Sequence, residues 1–238
     1  MTATRVTRHV EHCMGTVFSF AIADEGDWTA PLAQAVAWLH HVDATFSTYR
    51  EDSAISRLRR AEPVHDPLVD EVLALCERYE IETGGAFSAH LPGGLDPSGL
   101  VKGWAIEWTS DLLREYGSRN HAVGGGGDMQ LAGEPEPGRP WRVGIADPFD
   151  SSRVLTTVEG RDLAVATSGT SERGLHIVDP RTGRPAQELA SVTVTGPTLT
   201  RVDVAATAAF VLGAGGATWL HGQGLDGIVV DLDGSVHR

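Results

Sequence analysis

The 238-residue sequence predicts an α+β fold, antiparallel sheets with flanking helices in a single domain, and three observations carry that expectation. Long amphipathic runs with apolar residues three and four apart mark helices, but runs of short strands interleave with them and no regular βαβ alternation emerges. Turn residues and alternating apolar positions divide residues 121–178 into several antiparallel strands. No linker-like stretch splits the chain, and its length allows one large domain with a proper core.

Taken in order, residues 6–23 read as strand, with Phe18, Phe20 and Ile22 alternating and the turn-prone Met14-Gly15-Thr16 breaking the run. Residues 28–46 read as helix, since Leu32, Val36, Leu39 and Val42 recur at helical spacing. A polar turn, Ser47 to Asp52, leads into a short helix opening at Ser53. Residues 67–83 form a second long helix that Gly84-Gly85 ends. A loop rich in glycine and proline over 91–99 precedes a helix over 101–116. After the central strands come a strand over 190–195, a helix over 201–212 and a closing strand over 227–231.

Composition narrows the function. Nineteen basic against 32 acidic residues leave a net charge of −13, which argues against nucleic acid as a partner because phosphate backbones need positive neutralisation. A phosphate-rich ligand would need a local cation, from a metal or a well-placed base. No apolar run is long enough to span a bilayer, so no membrane partner is expected. Cys13 and Cys76 form no paired motif and read as buried or idle thiols of a reducing compartment. Residues 1–10 carry no apolar segment of the signal-peptide kind, so a cytoplasmic location is expected. Lys102 is the only lysine among the 19 basic residues. Where arginine serves everywhere else, a lone ammonium suits a site that wants a compact point charge.

Three segments can carry chemistry. Gly124 to Gly127 followed by Asp128 lacks the dinucleotide spacing, because Met129 stands where a glycine is needed and no helix follows. Two readings remain: a backbone that approaches a diphosphate closely, or a tight hairpin with glycines at positive φ. Asp203 and Thr207 are four apart on one helical face, a carboxylate and a hydroxyl that can ligate a hard cation such as Mg²⁺. The competing reading makes Thr200 the N-cap and Asp203 a first-turn carboxylate that favours the helix dipole. His176, in a strand running into a turn, reads as a packed histidine or a base. The run from Ala166 to Ser171 offers hydroxyls and a flexible glycine, but no nucleophile elbow surrounds it.

In order along the chain, these segments resemble the ApbE-type flavin transferases, FAD:protein FMN transferases. The resemblance rests on Met14-Gly15-Thr16, on Phe46 through Arg50 with Ser53, and on Gly85-Ala86-Phe87. It continues through Asp96 to Gly103, Gly126-Gly127-Asp128, Ser168-Gly169 with His176 through Pro180, and Asp203 with Thr207. It implies a fold related to tunnelling folds and an enzyme that binds FAD with Mg²⁺. The enzyme would move FMN onto a threonine or serine hydroxyl of an acceptor flavoprotein and release AMP.

By the same resemblance Asp203, Thr207 and the backbone carbonyl at Gly99 hold the metal, and His176 is the base beside Asp203 in catalysis. Met14, Gly15, Thr16 and Tyr49 would contact FAD, as would Ala86, Phe87, Ser88, Asp96 and Lys102. Gly126, Gly127, Asp128, Ser168 and Gly169 complete that site. The sequence departs from the family at Gly124 (often asparagine), at Ser98 (often glycine) and in Ser88-Ala89-His90, where the family has Asp-x-Thr. An FAD diphosphatase giving free FMN and AMP is the second reading, and a non-catalytic FAD-binding module the third.

Overall fold

The computed structural model describes residues 6–170, 174 and 176–238; residues 1–5, 171–173 and 175 lie outside it, and with them Ser171 of the run noted above. The elements are β1 (Thr7–Cys13), β2 (Thr16–Ile22), α1 (Thr29–Phe46), α2 (Ala54–Arg59), α3 (Pro67–Glu82), β3 (His90–Leu91), β4 (Gly94–Leu95) and α4 (Ser98–Glu115). Then follow β5 (His121–Gly125), β6 (Asp128–Ala132), β7 (Trp141–Asp147), β8 (Asp150–Gly160), β9 (Leu163–Gly169), β10 (Val178–Asp179) and β11 (Arg184–Pro185). The chain closes with β12 (Leu189–Gly196), α5 (Leu199–Val211), α6 (Gly216–Gly222), β13 (Asp226–Asp231) and β14 (Val236–His237). Eight strands form one antiparallel sheet in the order β1-β2-β5-β6-β9-β12-β13-β14.

Side-chain alternation assigns the two faces of that sheet. Phe18, Val123, Ala166 and Val194 join the main core with the helices. Their neighbours Ala122, Leu131 and Val165 meet Val143 and Ile145 of β7 in a second cluster, so the β7–β8 hairpin covers the other face. On the helical side α4 and α5 pack against each other, and α5 lies along β9 and β12. Gly103 permits that approach: a Cβ there would stand 2.9 Å from the Asp203 side chain and 3.1 Å from the Leu199 carbonyl.

Local signals account for most boundaries. Asp66 caps α3 by accepting the Leu68 N–H at 2.9 Å, and Gly84 and Gly85 at φ 60° and 79° terminate it. Ser53 caps α2 through the Ser56 N–H. Three expectations need correction. Helix α4 begins at Ser98, inside the expected loop, because Asp96 accepts the Ser98 N–H at 3.0 Å. The rest of that loop holds the small β3–β4 hairpin. Helix α5 begins at Leu199, so Thr200 is not its N-cap. Its first donors are satisfied from afar: Leu199 N–H by Gln130 Oε1 at 2.9 Å, and Thr200 N–H by Glu107 Oε2 at 2.8 Å.

His121 is fully buried between the Ser110 and Ser118 hydroxyls, each 2.8 Å from a ring nitrogen. Burial, with some help from the Arg114 charge, pushes its pKa down to about 4. The unfolded chain therefore takes up this proton near pH 6.5 while the folded chain resists until about 4. Stability is expected to fall as pH drops through that window, by up to about 3 kcal/mol from this group. Urea melts at pH 7 and pH 4.5 test it, and in His121→Asn the pH-dependent loss should shrink by a comparable amount.

Both cysteines are buried free thiols, as expected. Burial pushes Cys13 up to about 11 and Cys76 up to about 12, which leaves neither as a thiolate near neutrality.

Candidate functional site

Two tight turns, the start of α4, the inner face of α5 and the segment around His176 converge on a cavity of about 660 Å³. The β1–β2 turn is Met14-Gly15, both at positive φ (50° and 68°), a conformation that non-glycine residues such as Met14 seldom adopt. The β5–β6 turn is Gly126-Gly127 at φ 57° and 90°, so the hairpin reading of the glycine run holds, and its tip lines the cavity. Thr16 stands beside that tip, since a Cβ on Gly126 would lie 3.2 Å from Thr16 Oγ1.

The charged centre is Lys102, from the first turns of α4. Its ammonium lies 3.1 Å from Asp203 Oδ2 and makes an ion pair with Asp128 Oδ2. Asp203 Oδ2 also accepts the Gly103 N–H at 3.1 Å, and Asp128 Oδ1 accepts the Thr167 N–H at 2.9 Å. The two carboxylates are 6% and 1% exposed, so this one ammonium offsets two nearly buried charges. Asp203 sits in the second turn of α5 and bonds across to α4, which removes the first-turn dipole reading for it. Asp128 differs from the expectation in another way: it lies beneath the cavity wall and holds Lys102 and β9.

The other expected residues fall around this centre. Thr207 is on the same face of α5 as Asp203, and its hydroxyl is 3.2 Å from the buried Ser168 hydroxyl. Gly99 and Gly169 line the cavity, with Ala86 and Phe87 forming its apolar wall. Ser88 lines it too, but its hydroxyl donates to Glu80 at 2.8 Å. Asp96 serves α4 as well as the wall, accepting the Ser98 N–H across the N-cap residue Pro97. Tyr49, 95% exposed, stands at the mouth.

His176 corrects two expectations: it is exposed and lies in an irregular segment before β10, neither packed nor in a strand. Its Nδ1 is 3.1 Å from the Gly174 carbonyl, which can only accept. Nδ1 therefore donates this bond, and in the neutral ring Nε2 is the nitrogen left with a lone pair.

Sequence reasoning missed the opposite wall. Val143, Gly144, Ile145 and Ala146 of β7 border the cavity, although their alternation reads only as a half-buried strand. Gly103 was also missed as a ligand of Asp203; its place next to Lys102 was the available signal. Among the described residues no three His, Cys, Asp or Glu side chains cluster as a metal site. The oxygen-bearing side chains at this wall are the Asp203 carboxylate and the Thr207 and Ser168 hydroxyls. That hard, sparse set fits a cation that keeps part of its water shell.

An antiparallel sheet with helices on one face, and a cavity whose wall carries a lysine ion-paired to two carboxylates, define an α+β protein with a concave, charged site. The model of the ApbE family matches residues 14–92 and 89–229, and the chain belongs to that family.

It is 36% identical over 148 residues to the FAD:protein FMN transferase of Vibrio cholerae, covering 58% of this chain and 44% of that one. It is 26% identical over 272 residues to the Haemophilus influenzae FAD:protein FMN transferase, covering 84% and 79%. The first match thus spans less than half of that relative's length. The fold matches the crystal structure of the ApbE protein of Thermotoga maritima with a TM-score of 0.89 at 19% identity, covering 98% of this chain and 97% of that one. It matches the flavin transferase ApbE of Vibrio cholerae with a TM-score of 0.84 at 24% identity, covering 98% and 96%. Among the described residues no helix is long and apolar enough to cross a membrane.

Proposed function

We propose that this chain transfers the FMN half of FAD onto a threonine or serine hydroxyl of an acceptor flavoprotein, in a Mg²⁺-dependent reaction that releases AMP. One observation carries the reading. The cavity that the fold builds is lined by Lys102, Asp203, Thr207, Ser168 and the Gly126-Gly127 tip, and by His176 as well. The names of the relatives supply the flavin, and a centre of one ammonium and two carboxylates, net negative, is where a divalent cation would be needed beside a diphosphate.

Asp203, Thr207 and the Gly99 carbonyl are the oxygen donors that would hold Mg²⁺ against the diphosphate. When bound, that ion supplies the positive charge that phosphoryl transfer needs at the bridging and non-bridging oxygens. The chain's own residues do the rest. Lys102 adds a second positive charge, and the N–H groups of the glycine tip approach the phosphates without a side chain in the way. Phe87 and the β7 wall give the cavity apolar surface for a flat ring system. His176 Nε2 takes the proton from the acceptor hydroxyl as its oxygen bonds to the FMN phosphorus. The bond from that phosphorus to the bridging oxygen breaks, and AMP leaves with it.

Incubation with FAD, Mg²⁺ and a candidate acceptor subunit separates the readings. Covalent flavin on the acceptor is the expected product. Free FMN with AMP would make the chain a diphosphatase, and bound but unchanged FAD a binding module. Within the transferase reading, His176→Ala is expected to slow transfer about 10²- to 10³-fold while FAD affinity stays within about twofold. Stopped-flow transfer rates and FAD fluorescence titration check this; a folded variant that no longer binds FAD would make His176 a binding residue.

A further inference from the structure

We propose that Lys102 is the resident counter-ion of the cation site, held permanently by Asp128 and exchangeably by Asp203, so that a divalent ion binds only when the ammonium leaves Asp203. The inference rests on the metal reading above and deepens it.

The geometry distinguishes the two carboxylates. Asp128 is 1% exposed, has its other oxygen fixed by the Thr167 N–H, and among the described residues its Oδ2 meets no charge but Lys102. It takes no directed hydrogen bond at that oxygen, so the ammonium is its compensation. Asp203 has an alternative, because the Gly103 N–H bonds the same Oδ2 that Lys102 touches. Lys102 can leave Asp203 and stay with Asp128. It could not leave Asp128 without stranding a buried charge.

A divalent ion bound to Asp203 would sit close to the ammonium now 3.1 Å from Oδ2, and like charges at such range repel strongly in a partly buried site. The lysine must therefore give way as the ion arrives. Its side chain is 24% exposed and lines the cavity beside Gly126, so a diphosphate there offers it a new partner. Nucleotide and cation are then linked: the diphosphate draws the ammonium from Asp203 and frees that carboxylate for the ion. In the nucleotide-free chain the lysine suppresses binding of the cation.

Mn²⁺ is the probe, read by electron paramagnetic resonance on the nucleotide-free chain, with no turnover involved. The double variant Lys102→Gln/Asp128→Asn removes the ammonium together with the charge it compensates, so folding is not put at risk by a stranded carboxylate. Its Mn²⁺ affinity is expected to exceed that of the wild type at least tenfold. Because the sequence has one lysine, lysine labelled with ¹³C at Cε alone gives a single resonance, which Mg²⁺ should shift in the wild type but not in Asp203→Asn. Equal Mn²⁺ affinity in the double variant and wild type, with Asp203→Asn still abolishing binding, overturns this inference alone. A Mn²⁺ site indifferent to Asp203→Asn overturns the metal reading along with it.

Discussion

Asp203→Asn is expected to cut FMN transfer by about 10²- to 10³-fold, the scale of losing one charge-stabilising group at a phosphoryl or acyl transition state. The fold should hardly register the change. The asparagine oxygen still accepts the Gly103 N–H, its shape fits the gap that Gly103 leaves, and Lys102 keeps Asp128 as partner. We expect a stability change within about 1 kcal/mol. Single-turnover rates at saturating Mg²⁺ and FAD, set beside denaturant melts, separate the two effects. Undiminished transfer together with a large loss of stability would make Asp203 a structural tie between α4 and α5.

Lys102→Met has the opposite signature, a large loss of stability. Removing the ammonium leaves Asp128, 1% exposed, uncompensated and near a second buried carboxylate. Breaking a buried pair from one side costs about 3–5 kcal/mol, a large share of the roughly 5–15 kcal/mol that holds a domain together. For a chain of this length each kcal/mol lowers Tm by about 2–4 °C, so calorimetry should find a drop of roughly 6–20 °C. Adding Asp128→Asn to the same chain should recover most of it, because the stranded charge is then gone. A melting temperature unchanged by Lys102→Met would mean that Asp128 finds other compensation.

Where a helix announces itself locally, the sequence was readable. Asp66-Pro67 opens α3 and Gly84-Gly85 closes it, and both signals depend only on neighbouring residues. The start of α5 was not readable, because its donors are met by Gln130 and Glu107, about 70 and 93 residues away in the chain. Helix α6 is hard to see in the sequence because the glycine-rich 3₁₀ turn Gly213–Gly215 leads into it and Gly216 opens it, yet Leu220 is buried in the core. At the site, the lone lysine could be picked out by composition and Asp203 with Thr207 by helical spacing. Burial could not: Asp128 looked like a ligand-facing residue after the glycine run and proves to be the anchor beneath it. The β7 wall was hidden for a related reason. Alternation sends Val143 and Ile145 to a core, and says nothing of the cavity that the same strand borders.

The most direct test is a crystal grown with Mn²⁺ and FAD, or with ADP if FAD turns over, with the ion located by its anomalous scattering. One peak is expected about 2 Å from an Asp203 carboxylate oxygen and from the Thr207 hydroxyl, against the diphosphate, with the Lys102 ammonium turned from Asp203 toward a phosphate oxygen. A nucleotide bound in the cavity with Lys102 still on Asp203 and no ion at that pair would contradict this placement.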